Sequence, residues 1–248
     1  MDNIIKAAEI IAKSKGIAFT GAGISTPSNI PDFRSPSGIW AKYNVREYAY
    51  IDRFIENPEK VWEFFKLRIK EFSKALPNNA HMAFAELESI GFLEAVITQN
   101  IDGLHQKGGS KNVLELHGTI TKLVCLNCQK KYESKDFDFE QIKLPLCKCG
   151  KILKPDVVFF GEPLPEGVFN RAVSLALSSS FVIVAGTSGV VYPAAQIPYI
   201  AKRNGATIIE INKEKTEITR TITDIFIQGS VDISIPEIVE NVKKIIGK

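Results

Sequence analysis

Four cysteines, Cys125, Cys128, Cys147 and Cys149, are the only ones in the chain, and all fall within one short segment. The spacing Cys-x2-Cys then Cys-x-Cys puts two thiolate pairs on adjacent knuckles, which suits a tetrahedral S4 zinc shell. A closed shell leaves no metal-bound water to activate, so a zinc there is structural. The tight Cys-Lys-Cys knuckle departs from the commoner two-residue spacing, and Gly150 gives it room. Four free thiols are the plain alternative, and clustering argues against them.

Just upstream, His117 closes the run Val113-Leu114-Glu115-Leu116-His117-Gly118. An imidazole titrates near neutrality, which suits a general base, and Gly118 allows a substrate to come close. The other histidines are His81, which reads as a helix cap or surface residue, and His105, which stays ambiguous. Gln99, Asn100 and Asp102 follow another apolar run, where amides can hold a carboxamide or a water. Plain turn chemistry remains an equal reading of these three. Gly21-Ala22-Gly23 leaves a strand as a phosphate-binding turn does, although Thr26 stands where the full G-x-G-x-x-G needs a third glycine. Gly186-Thr187-Ser188 and Asn212 also follow strands; each alone reads equally well as a helix cap, and together they suggest one shared crevice.

These groups need a scaffold that brings several strand ends together. Continuous apolar runs predict strands at 16–20, 94–98, 113–116, 181–185, 206–211 and 225–228, as in a parallel sheet covered on both faces. Helical patterns separate them, at 57–75, 79–90 and 194–203. A last helix is expected to open at a capping box, Ser234-x-Pro236-Glu237. Residues 1–15 read as an amphipathic helix with Ile4, Ile5, Ala8, Ile11 and Ala12 on one face. The alternation of strand and helix predicts a doubly wound α/β fold. Two stretches interrupt it. Residues 26–50, rich in proline and aromatics, form a long functional loop, and the cysteine segment forms a small inserted module. We therefore expect a Rossmann-like unit at 1–120 and 156–248, with a mobile loop at 26–50 and a helical insert at 51–80, and a zinc module at 121–155.

The apolar share of 45%, the charged share of 24% and a formal charge of +3 are those of a soluble cytoplasmic protein and give no reason to expect nucleic-acid binding. No apolar run approaches the roughly 20 residues of a membrane span. Lysine outnumbering arginine, with abundant isoleucine, hints at a heat-adapted source.

The ordered motifs together resemble the sirtuins, the Sir2 family of NAD-dependent protein lysine deacylases, in an archaeal form. The resemblance rests on Gly-Ala-Gly-Ile-Ser at 21–25, Pro-Asp-Phe-Arg at 31–34, Gln-Asn-Ile-Asp-Gly-Leu-His at 99–105, Leu-His-Gly at 116–118, Lys-Pro-Asp-Val-Val-Phe-Phe-Gly-Glu at 154–162, Gly-Thr-Ser at 186–188 and Val-Tyr-Pro at 191–193. It covers nearly the whole chain, to about Asp232. It implies NAD contacts from Gly21, Ala22, Gly23, Thr26, Asp32, Phe33, Arg34, Gly186, Thr187, Ser188, Asn212 and Asp232. Gln99 would meet the distal ribose, and Phe33, Asn100, Ile101 and Asp102 the nicotinamide. His117 becomes the base, with Asn100 beside it in the catalytic site. Val158, Phe159, Phe160, Gly161 and Glu162, with Val191 and Tyr192, become the substrate side; 158–161 is expected as a strand pairing with a peptide, and Phe160 as a wall of the acyl-lysine tunnel. Phe65 and Arg68 occupy the places where succinyl-removing members carry Tyr-x-x-Arg.

The implied reaction transfers an acyl group from lysine to ADP-ribose, releasing nicotinamide, with acylated proteins, acetylated chromatin proteins among them, as partners. A preference for acidic acyl groups and NAD-dependent ADP-ribosyl transfer are the alternatives within this chemistry. A nicotinamide dehydrogenase would share the crevice, and a zinc-ribbon nucleic-acid binder the cysteines; the mild charge counts against the latter.

Overall fold

The computed structural model describes residues 2–248; Met1, in the first expected helix, lies outside them. Six strands form one parallel sheet. They are β1 (Gly16–Thr20), β2 (Leu93–Thr98), β3 (Val113–Glu115), β7 (Phe181–Ala185), β8 (Thr207–Asn212) and β9 (Ile225–Gln228), in the order β3-β2-β1-β7-β8-β9. The order reverses direction at β1, so the ends of β1, β2 and β7 open a crevice there. Every residue of β1 and of β7 is buried, which is why their sequences are unbroken apolar runs.

The helices Asn3–Ile11, Asn79–Ser89 and Val231–Ile245 cover one face, burying Ile11, Phe84, Ile235 and Val239 against Ala18, Val96 and Ile209. Glu166–Ser178 and Gln196–Arg203 cover the other with Ala172, Ala176, Ile197 and Ala201. The small residues on this second face let the helices sit close to the sheet.

Two helical expectations need correction. The last helix opens at Val231, and Ser234 already lies inside it, its N–H donating to Ser230 O at 2.9 Å. Pro236 is tolerated in the helix interior, so the Ser-x-Pro-Glu pattern misled. In the first helix Ala7 rather than Ile5 faces the core, and Ile5 is exposed.

A second, antiparallel sheet holds β4 (Gly118–Cys125), β5 (Lys131–Glu133) and β6 (Leu153–Val157), in the order β5-β4-β6. The helix Pro58–Lys74 packs on this sheet. Trp62 is fully buried, and its Nε1–H donates to Leu153 O at 2.9 Å. The core they share contains Phe64, Phe65, Phe72, Leu123, Cys125 and Cys147. Asn57 caps that helix, its side chain accepting from Lys60 N, with Pro58 in the first turn.

Candidate active site

A cleft of about 900 Å³ lies between the carboxyl ends of the parallel strands and the second sheet. From the sheet side Gly21, Ala22, Gly23, Thr26, Gln99, Asn100, Ile101, Gly186, Thr187, Ser188 and Asn212 line it. The long loop adds Asp32, Phe33 and Arg34. From the other side come Phe65, Arg68, Val158, Phe159, Phe160, Gly161 and Glu162, while His117, just after β3, and Val191 and Tyr192, after β7, complete the lining. Two expected members do not line it. Asp232 sits in the first turn of the last helix, hydrogen-bonded to Ser230, and Val231 faces the cleft in its place. Asp102 is buried one layer below: its carboxylate accepts from Ser25 Oγ at 2.7 Å and from Leu104 N at 2.9 Å. Burial pushes that carboxyl above its ordinary range, against the pull of these hydrogen bonds.

The glycines at the floor let two turns pack against each other. A Cβ on Gly23 would lie 2.7 Å from Gly186 O, and one on Gly186, itself at φ +59°, would lie 2.3 Å from Ile24 N. The two turns therefore pack backbone on backbone across the switch point, joined by Gly23 N donating to Gly186 O at 2.8 Å. The segment after Gly21 is a 3-10 helix, Ala22–Ser28, not an α-helix start.

Gln99 ties the two turns together. Its Nε2 donates to Thr187 Oγ1 at 2.8 Å, and its carbonyl lies 2.9 Å from His117 Nδ1. A carbonyl only accepts, so Nδ1 carries the proton and Nε2 keeps a free lone pair. Burial lowers the His117 pKa, the Gln99 carbonyl opposes that, and Arg34 adds to it. The imidazole is thus neutral near pH 7, with the basic nitrogen defined by its neighbour. Arg34 carries no hydrogen-bonded acid on its guanidinium among the described residues, while Asp32 Oδ1 caps its backbone N–H at 2.9 Å. Asn212 Nδ2 donates to Thr187 O at 3.2 Å and to the buried Glu210 Oε1 at 2.9 Å, leaving its own carbonyl for a ligand.

His81 and His105 are structural in placement. His81 is a cap, as expected, but buried, not on the surface: its Nδ1 accepts from Asn78 N at 3.2 Å. His105 Nε2 lies 2.9 Å from Thr20 Oγ1.

Opposite the sheet the wall is aromatic. Phe33 packs on Trp40 with ring centroids 5.5 Å apart, Trp40 stacks on Phe64 at 5.8 Å, and Phe65 stacks on Phe159 at 5.2 Å. Phe159 is the buried ring of this wall; Phe160, partly exposed and stacked on Tyr50, also lines the cleft. Arg68 is buried, with Nη2 3.0 Å from Glu71 and its guanidinium over the rings of Tyr43 and Phe64. Its Nε has no partner among the described residues.

Residues 158–161 do not form a regular strand. Val158 N donates to His117 O, Phe159 N to Glu162 Oε2, and Phe160 is bridged to Ala49 and Ile51. Trp40, Phe64, Lys213, Glu214 and Thr216 also line the cleft and escaped sequence reading. The last three follow Asn212 at a strand end, a signal that could have found them.

The four Sγ atoms lie within 4.8 Å of one another, with Cys125 and Cys149 3.6 Å apart and Cys128 and Cys147 3.5 Å apart. A regular tetrahedron with Zn–S arms of about 2.3 Å has edges of about 3.8 Å, so the donor set fits zinc. These separations are far longer than a disulfide bond.

A model of the Sir2 family matches residues 21–193, which take in both glycine turns, His117 and all four cysteines. The chain belongs to the Sir2 family. Among curated Sir2 relatives, an NAD-dependent protein deacylase of Pyrococcus furiosus is 50% identical over 243 residues, covering 96% of this chain and 97% of the relative. An NAD-dependent protein deacetylase of Saccharolobus solfataricus is 47% identical over 241 residues, 96% of each. Among solved structures, a Sir2 homologue–NAD complex superposes with a TM-score of 0.91 at 43% identity, covering 99% of this chain and 95% of that one. A Sir2 protein (Sir2Af2) bound to a myristoylated histone peptide gives 0.83 at 45%, covering 99% and 98%. The superpositions take in 95% and 98% of those two structures.

Proposed function

We infer that this chain removes acyl groups from protein lysines with NAD as co-substrate and carries a structural zinc. The observation that carries the reading is His117, held in one tautomer by Gln99 O where the glycine-turn floor meets the aromatic wall. Bound NAD supplies an electrophilic ribose carbon with nicotinamide as its leaving group. Gly21–Gly23, Arg34, Thr187, Ser188 and Asn212 line the dinucleotide half, and Asn100 and Ile101 the nicotinamide end. Phe33 covers that end and excludes water, which would otherwise hydrolyse the cofactor. His117 Nε2 takes the proton of the ribose hydroxyl that receives the acyl group. The acyl chain runs along Phe64, Phe65 and Phe159.

Among the described residues Val158 C=O and Gly161 N–H have no partner, which leaves them to meet a peptide backbone. Recognition through main-chain groups makes side-chain selectivity loose, which fits acylated chromatin proteins among several targets. We treat 121–155 as the zinc-binding unit and the rest as the cofactor-binding unit. Among the described residues no helix is long and apolar enough to cross a membrane. Clustered reduced cysteines and the mild charge favour a cytoplasmic enzyme that does not bind nucleic acid.

Incubation with NAD and acetyl-lysine peptide tests this. Nicotinamide and free lysine should appear in equal amounts, with an acylated ADP-ribose. Nicotinamide release without free lysine, or hydride transfer to NAD from an alcohol, would overturn it.

A further inference from the structure

Lys154 is a charged side chain that the reading above leaves unused. It lies on β6, and its side chain is only 4% exposed. Its ammonium donates to Val157 O at 2.5 Å, Pro155 O at 3.2 Å and Glu162 Oε2 at 2.9 Å, and sits 4.3 Å above the ring of Phe159. The same Glu162 oxygen accepts from Phe159 N at 2.8 Å. One ammonium thus staples both ends of 157–162, the segment that presents Phe159 to the acyl wall and Val158 C=O and Gly161 N–H to the cleft. From its other side the segment is tied to the base, through Val158 N donating to His117 O at 2.9 Å.

A buried lysine is costly unless its three donors are met, and here two meet acceptors at the ends of that segment while the third meets Pro155 O just before it. A staple needed only for folding would do its job with an apolar side chain of similar volume. A charge closing on a carboxylate that itself holds a backbone N–H instead fixes the segment's shape.

We propose that Lys154, through Glu162, is a positioning residue for the acyl-lysine substrate: it holds 157–162 in the shape that receives the peptide and seats the acyl chain. This rests on the deacylase reading. It predicts a separation of the two ligands, because the cofactor turns at 21–26, 186–188 and 212 make none of these contacts. In Lys154→Met the KM for acetyl-lysine peptide rises at least tenfold, while the Kd for NAD measured by calorimetry stays within twofold. Lys154→Arg, which keeps a charged donor, returns the peptide KM to within about threefold of wild type. Glu162→Gln, which keeps an acceptor for Phe159 N but loses the charge, shows the same direction at smaller size, and it carries the test if Lys154→Met does not fold. A peptide KM within twofold of wild type in the folded variants overturns the proposal, as does an equal loss of NAD and peptide affinity. Absence of NAD-dependent lysine release from the wild type would instead sink the deacylase reading, and it precedes any comparison of variants.

Discussion

The two sides of the cleft are built on different physics. The floor under the cofactor turns is a buried polar lattice. Thr20 Oγ1 donates to Thr98 Oγ1, Ser25 Oγ donates to Asp102, Asn100 Nδ2 donates to Ser25 Oγ, and His105 joins at Thr20. Each group fixes its neighbour, and an unmet partner in such a lattice costs about 1–3 kcal/mol. The opposite side is a stack of rings, Trp40, Phe64, Phe65 and Phe159, on a small sheet closed by four cysteines. Rings supply area without directional demands. The floor is therefore suited to one ligand in one pose, and the wall to acyl chains of differing length. Stability divides the same way: the floor rests on the large parallel sheet, and the wall on a core small enough to need a metal.

Removing the metal should break that contrast most sharply. Structural zinc sites contribute apparent binding free energies of about 10–16 kcal/mol in small zinc domains. Chelation, or Cys147→Ala, is expected to lower the melting temperature and abolish deacylation together, because the wall loses its support. A chelated protein that melts unchanged and loses only turnover would mean an open, catalytic metal instead.

His117→Ala separates chemistry from binding. The expected loss in kcat is about 10²–10⁴-fold, with NAD affinity and melting temperature near wild type. The acid limb of the wild-type kcat/KM profile should lie below 6.5, because burial lowers the pKa of the base and the neutral form is the active one. Turnover within threefold of wild type in the variant, or an acid limb above 6.5, would remove His117 from the role.

Most of the floor was legible in the sequence. The strands of the parallel sheet emerged within a residue of their limits, because a buried parallel strand is a continuous apolar run and little else looks like one. Glycine turns and amides after such strands must then face the switch point. Tertiary partners were not legible. That Gly23 needs its missing Cβ because of Gly186, or that Asp102 lies below the cleft while its neighbour Ile101 lines it, depends on contacts between distant segments. The antiparallel sheet hid itself because β4 to β6 interleave Lys122, Lys131 and Lys154 with apolar residues, and Lys154 reads as a surface lysine until its three acceptors are seen. Ser234 looked like a cap because Ser-x-Pro-Glu is a start signal by local rule, and only Ser230 and Val231 reveal the earlier turn.

Acid should weaken the floor through its buried histidines. Burial lowers the His81 pKa to about 4 and that of His105 well below its ordinary value. A histidine depressed in the fold is neutral there but protonated in the unfolded chain below about 6.5. Its contribution is therefore whole above pH 6.5 and is lost as pH falls toward the folded pKa. For His81 the full window amounts to about 3 kcal/mol. Asp102, whose carboxyl is pushed up by burial, works in the opposite direction and offsets part of this. Melting temperatures at pH 7, 5.5 and 4.5 should fall less steeply in His81→Asn than in wild type, and parallel slopes would show that His81 does not titrate with unfolding.

The smallest expected effect sharpens the contrast at the wall itself, where a single polar group interrupts the rings. Arg68 is buried among Tyr43 and Phe64, yet one of its donors has no partner among the described residues and Glu71 takes only Nη2. A guanidinium with a spare donor can pair with a carboxylate, which makes Arg68 the group to test for reading a succinyl chain. Phe65 stacks flat on Phe159 and offers no hydroxyl beside it. Phe65→Tyr adds one donor worth about 0.5–1.5 kcal/mol, which should raise kcat/KM for succinyl-lysine several-fold over that for acetyl-lysine. Arg68→Met should lower the succinyl value and leave acetyl turnover much closer to wild type. If neither change moves the ratio, Glu71 holds Arg68 fully, and the wall reads acyl chains by area alone.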